Sequence, residues 1–186
     1  MAWIALNGLA ALVIRVDKGI VRTMRKIVLA VDPSPVSLDA LRWATKQLCN
    51  KDDELHLISV LDSGGVATDL VGESAPDSNP DCKPDPMALL RTQDLLRSCK
   101  DEAEAAGLHN VKMTTLVSCV GGSADMGRHI TEFAAGEHAD MLVLGSRGMG
   151  AWRRLMGSLV GLGSVSDFVT KHATTNVVVH KRAAQQ

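Results

Sequence analysis

The chain has 186 residues, 46% of them apolar and 22% charged, and a formal net charge of −1. That length fits one domain burying roughly 70% of its unfolded surface. The near-neutral balance, with no Tyr, two Phe and three Trp, excludes the basic stripe and stacking aromatics of a nucleic-acid binder.

The opening segment, "MAWIALNGLAALVI", is apolar, and Arg15, Lys18, Arg22 and Arg25 follow it with only Asp17 opposing. It falls short of the roughly 20 apolar residues that span a bilayer. A secretory signal carries its basic residues before the apolar stretch, and here they come after it. Residues 1–23 therefore read as an extension outside the fold or, less favoured, as an organelle-targeting segment. "MRKIVLAVD" from Met24 then reads as the natural opening of a domain.

From Met24 onward, short β-branched runs alternate with longer helical ones, the pattern of βαβ units and a parallel sheet. "KIVLAV" (Lys26 to Val31) is the first strand and ends at "DPSP". Pro35 suits a first helical turn, and Leu38, Leu41, Ala44, Thr45 and Leu48 share one face of the helix that follows. "ELHLISVL" (Glu54 to Leu61) is the second strand. The 24 residues from Asp62 to Asp85 carry six acids against Lys83 alone. Their length and composition predict an unstructured excursion rather than a lid. A helix from about Pro86 to Ala106 sets Leu89, Leu96, Cys99, Ala103 and Ala106 inward and stops at Gly107. "VKMTTLVS" (Val111 to Ser118) is the third strand, and "SADMGRHITEFAAGEHA" is a helix with Ser123 as its N-cap and Met126, Ile130 and Phe133 inward. "DMLVLG" is the fourth strand, "SVSDFVTKHA" the last helix and "NVVVHK" the last strand.

Right-handed crossovers between successive parallel strands make the economical arrangement an open, doubly wound five-stranded α/β sheet with helices on both faces, in a single domain spanning 24–182. Ligands bind such sheets beyond the carboxyl ends of the strands. Cys49, Cys82, Cys99 and Cys119 lie 33, 17 and 20 residues apart, matching no zinc-site spacing. They read as four free thiols in a reducing, cytoplasmic compartment.

The loop after the fourth strand, "GSRGMGAWRRLMGSLVGLGS" (Gly145 to Ser164), holds six of the sixteen glycines. Gly145 and Gly148 permit sharp turns at the sheet edge. Gly163-Ser164 leads into a helix whose first N–H groups lack internal partners and whose dipole favours an anion. Two glycine-bounded turns facing a helix N-terminus describe a nucleotide phosphate site. It is not a Walker loop, because no Gly-Lys occurs in the chain, and the dinucleotide fingerprint fails at its third glycine.

These pieces, "KIVLAVD", "SLDALRWA", "LHLISVLD", "ADMLVLGSRGMG" and "GSVSDFVTKHATTNVVVHK", resemble the universal stress proteins from about Arg25 to Arg182. The resemblance implies a doubly wound domain, dimeric, of a subclass that binds ATP through Gly, two residues, Gly, nine residues, Gly-Ser/Thr. It places Val31 and Asp32 near the nucleoside and Val60 at the adenine pocket. It sets Leu144, Gly145, Arg147 and Gly148 along the ribose and phosphates, with Gly163, Ser164, Val165 and Ser166 holding the phosphate chain. AMP and ADP are related ligands, and Mg²⁺ would accompany the nucleotide. Between Gly148 and Gly163 lie 14 residues where the family pattern has nine, so 157–161 is an insertion.

Other readings of the same residues stand beside this one. Asp32 either caps the first helix or touches ligand, Ser164 either caps the last helix or donates to phosphate, and Arg147 is either a phosphate contact or a solvated charge. His56, His129 and His138 read as structural, and no catalytic triad, carboxylate pair or metal cluster assembles from neighbouring motifs. The function expected is an ATP-binding regulatory or sensing module of the stress response, dimeric through Asn176 to His180 and without nucleic-acid or membrane partners. The alternatives are a nucleotide-free dimeric scaffold and a slow ATPase.

Overall fold

A computed structural model describes residues 14–17, 20–63, 82–146 and 164–181. Its centre is a parallel sheet of β3 (Lys26–Ala30), β4 (Glu54–Asp62), β5 (Asn110–Ser118), β6 (Met141–Gly145) and β7 (Asn176–His180), in spatial order β5-β4-β3-β6-β7. β1 (Ile14–Asp17) and β2 (Ile20–Thr23) form a separate antiparallel pair. The segment expected as an extension thus carries strands of its own, and they do not join the main sheet.

The central strands β4, β3 and β6 are buried on both faces, which explains why runs such as Ile27 to Leu29 and Leu142 to Leu144 are continuously apolar. On one face α1 (Pro35–Trp43) and α2 (Pro86–Ala105) close over Ile27, Leu29, Leu55 and Leu57, with Leu41, Leu96, Cys99 and Ala103 inward. On the other, α3 (Gly122–Gly136) and α4 (Ser164–His172) cover Val28, Ile58, Leu142 and Leu144 through Ile130, Ala134 and Val169. Each fully buried Leu or Ile contributes about 1.5 to 3 kcal/mol. The two helical layers therefore hold the strand ends in fixed register. Where α3 crosses α4, a Cβ on Gly127 would lie 2.5 Å from Phe168 Cδ1, so the missing side chain sets how closely the helices approach.

The helix boundaries follow local chemistry. Ser34 caps α1 by accepting from the Ser37 N–H (3.2 Å), with Pro35 in the first turn. Asp85 caps α2 through the Ala88 N–H (2.9 Å), and Gly107, at φ +97°, ends it. Thr45 and Leu48 fall on a π-helical turn, Ala44–Leu48, that continues α1. Ala106, expected inward, is exposed beyond the last turn of α2.

Two expectations are corrected. Ser123 does not cap α3; that position is Gly121, at φ +79°, followed by Gly122 at φ +83°, because the turn out of β5 needs left-handed backbone that serine disfavours. Nor are there four free thiols, since Cys82 and Cys119 form a disulfide with Cα atoms 5.6 Å apart. Cys49 and Cys99 remain free, and burial pushes each thiol up to about 11, which leaves them poor nucleophiles. Among the described residues no helix is long and apolar enough to cross a membrane.

Candidate functional site

The chain leaves β3 toward β4 and β5 on one side, then returns to place β6 and β7 on the other. The strand order therefore reverses between β3 and β6, and a crevice opens beyond their carboxyl ends. Ala30 pairs with Leu144 there, so Val31 and Asp32, just past the end of β3, lie beside Leu144 and Gly145 at the end of β6. These four positions were expected at the site, and the topology brings them together.

Each has a local reason for its place. Val31 is buried and donates its N–H to the Ile58 carbonyl (2.8 Å). Asp32 donates its N–H to Ser37 Oγ (2.9 Å), and its carboxylate accepts from the Ser34 N–H (3.1 Å) and hydroxyl. The reading of Asp32 as the cap of the first helix is corrected: Ser34 holds that position, because its hydroxyl is the one that reaches the Ser37 N–H, and Asp32 braces Ser34 from two residues earlier. Leu144 is buried, whereas Val60 is only partly so and packs against the same apolar cluster under α3 and α4.

Gly145 sits so close to α1 that a Cβ would lie 3.3 Å from Ser37 Cα, Ser37 N and Val36 C. The glycine thus eases the close approach of strand and helix backbones. Ser146, which sequence reasoning passed over, is buried, donates its N–H to the His180 carbonyl (2.8 Å) and accepts at its own carbonyl from Ser166 Oγ (3.2 Å). That last bond ties the first turn of α4 to the end of β6.

The tie changes the reading of the α4 residues. Ser166 is buried and its hydroxyl is committed to Ser146, so it positions the helix. Ser164 is exposed and is the first helical residue, leaving its hydroxyl at the positive end of the α4 dipole; Val165 packs into the apolar cluster. Arg147, Gly148, Gly163 and the insertion 157–161 lie outside the described residues, as does the acidic stretch 64–81.

A second polar cluster lies at the far side of the same edge. Asp125, in the first turn of α3, accepts from the Ser118 hydroxyl and from Arg128 Nη2 (2.7 Å), with His129 Nε2 at 3.5 Å. Burial pushes its carboxyl up, but the bonds from Ser118 and Arg128 outweigh this and hold it below the usual range. Ser118 is fully buried and also accepts from the Gly121 N–H (3.2 Å), so the group closes the β5–α3 turn and offers no nucleophile. A groove at the opposite end of the sheet is lined by Arg25, His138, Asp140, Met141 and Asn176. The Asp140 carboxylate there accepts from the Lys26 N–H (2.7 Å) and its backbone carbonyl from Asn176 Nδ2 (3.1 Å), so these polar groups serve the fold.

A model of the universal stress protein family matches residues 23–181. The chain belongs to the universal stress protein family. Solved structures of the family share its fold at low identity. A universal stress protein in complex with cAMP is 22% identical over 85% of this chain and 97% of its own, with a TM-score of 0.56. The Archaeoglobus fulgidus universal stress protein in complex with dAMP is 19% identical over 84% and 96%, with a TM-score of 0.55. UspA of Lactobacillus plantarum is 19% identical over 83% and 96%, with a TM-score of 0.57. No curated protein matches the chain. Within this universal stress protein, Val31, Asp32, Leu144 and Gly145 lie together at the reversal point between β3 and β6, and the Ser166–Ser146 bond brings the first turn of α4 to the same edge.

Proposed function

We propose that this universal stress protein binds an adenine nucleotide at the β3–β6 reversal point, ATP with Mg²⁺, and acts as a nucleotide-dependent regulatory or sensing module in the stress response. The observation that carries the reading is the Ser166–Ser146 bond, which holds the α4 N-terminus against the end of β6. A helix N-terminus and its dipole stabilise phosphate at such a place, and the exposed Ser164 hydroxyl adds a donor. The cAMP and dAMP complexes of family members support an adenine nucleotide as the ligand class. Mg²⁺ would offset the triphosphate's charge, and the chain's own part is to orient the phosphates with Ser164, Arg147, Gly148 and Gly163.

Calorimetric titration with ATP and Mg²⁺ tests the proposal. A hydrogen bond to a charged group is worth roughly 1.5 to 3 kcal/mol, so Ser164→Ala should weaken binding about tenfold or more. No heat from the wild-type protein, or equal affinity in Ser164→Ala, would overturn the assignment. Among the described residues β7 is the last strand at its edge of the sheet, which suits pairing of Asn176–His180 with a second copy. Sedimentation at micromolar concentration should show a dimer.

A further inference from the structure

At the amino ends of the strands, opposite the nucleotide edge, three side chains from distant parts of the sequence converge. Glu54 and His56 are two apart on β4 and so project from the same face of the sheet. Glu137, directly after α3, lies over them because Phe133, one turn earlier, packs edge-on against the imidazole at 4.9 Å. One ligand atom from each of Glu54, His56 and Glu137 lies within 4.8 Å of the other two.

The cluster has polar capacity that the fold leaves unused. His56 is buried, its side chain 8% exposed. Its Nε2 is hydrogen-bonded to Thr114 Oγ1 (2.8 Å), whereas Nδ1 has no hydrogen-bond partner and faces Glu137 Oε2 at 4.0 Å. Glu54 Oε1 is likewise buried without a hydrogen bond. A buried imidazole nitrogen and two carboxylates turned toward one point call for a cation between them. Lys26 Nζ already meets part of that demand, at 3.1 Å from Glu137 Oε2 and 3.8 Å from Glu54 Oε1, while Lys112 Nζ takes Glu54 Oε2 at 2.9 Å. Neither ammonium engages Nδ1.

We propose that Glu54, His56 and Glu137 form a binding site for a divalent transition cation of the Zn²⁺ type. One imidazole and two carboxylates suit such an ion and leave a further coordination position for water. Thr114 acts from behind: by holding Nε2 it turns Nδ1 toward the metal, as outer partners of ligating histidines do. Glu137, 34% exposed, opens the route from solvent, and Lys26, 31% exposed, swings outward as the ion enters. Lys26 is thus a competitor for the site, so its removal should strengthen binding.

The test is titration of the full chain, stripped with chelator, with Zn²⁺ by calorimetry and with Co²⁺ by its visible d–d bands. One equivalent should bind, and Mg²⁺, which prefers all-oxygen ligands, should not compete. His56→Gln and Glu137→Gln should each weaken Zn²⁺ at least tenfold, Thr114→Val should weaken it about tenfold, and Lys26→Met should tighten it. Glu137 is at a partly exposed helix end, so Glu137→Gln is expected to fold even if His56→Gln does not. Absence of Zn²⁺ binding at millimolar concentration would overturn the site. So would binding that Glu137→Gln leaves unchanged, because the ion would then be held elsewhere.

Discussion

Gly145→Ala tests the claim that strand β6 ends in glycine because α1 runs against it. The added Cβ would meet three backbone atoms of Val36 and Ser37 at 3.3 Å, closer than ordinary contact, and backbone cannot rotate aside as a side chain does. Overpacking costs about 1 to 3 kcal/mol, and three contacts against backbone place this one near the middle of that range, at about 2 kcal/mol. Gly145 is not among the positive-φ glycines, so alanine adds no backbone strain and recovers about 0.4 to 1 kcal/mol from the stiffer unfolded chain. The net expectation is a loss of about 1 kcal/mol, or roughly 2 to 4 °C in Tm for a domain of this size. Gly136→Ala is the control, because nothing lies within 4 Å of a Cβ there and the position is helical. It should gain several tenths of a kcal/mol, up to about 1. Urea unfolding followed by tryptophan fluorescence, with Trp43 packed on the core as one reporter, measures both. If Gly145→Ala matches or exceeds the wild type while Gly136→Ala behaves as expected, the close-approach argument is wrong.

Further outcomes follow from polar groups and the disulfide. Asp53, nearly fully buried, accepts from Arg25 Nη2 (2.6 Å), the Arg25 N–H (3.2 Å) and the Asn50 N–H (2.8 Å), joining the start of β3 to the turn before β4. Asp53→Ala should cost about 2 to 4 kcal/mol at pH 7 in urea titrations, somewhat less than a fully buried pair because Arg25 can rehydrate. Burial raises the Asp53 carboxyl, but the Arg25 and Asn50 bonds outweigh it, so the folded value lies below the ordinary 3.8. That contribution is complete above pH 3.8 and is lost as pH falls through the lower folded value, so the acid limb of the stability curve should flatten in Asp53→Asn. Cys82–Cys119 closes a loop of sequence separation 37, for which chain entropy predicts about 4 kcal/mol. Reduction, Cys82→Ser and Cys119→Ser should each remove that amount, and thiol titration of the unreduced, unfolded chain should count two thiols, not four.

The strands and most helices were legible because both faces of the sheet are covered: runs such as Ile27 to Leu29 and Leu142 to Leu144 have no polar side to show. Pro35, Pro86 and Gly107 marked boundaries through chemistry that acts within a turn. The edge residues Val31, Asp32, Leu144 and Gly145 could be placed because a doubly wound order fixes where its loops emerge. What escaped notice depends on distance along the chain. The Cys82–Cys119 pair has no spacing signature, and His56 meets Glu137 only after α3 folds back over β4. Residue preference alone favours Ser123 as the cap, whereas the turn demands the left-handed backbone that Gly121 supplies. Ser146 carried no motif of its own, and its role as the anchor of α4 exists only in three dimensions.

The notch at Gly127 has a mechanical consequence. With Phe168 seated in it, sliding α4 along α3 would force side chain against backbone, so this packing couples the two helices. α3 is 15 residues long, a rod of roughly 22 Å. One end leads into Glu137 at the amino edge of the sheet, and its middle grips the helix whose first turn stands at the opposite edge. A tilt of that rod would displace side chains at both edges, because one continuous helix joins them.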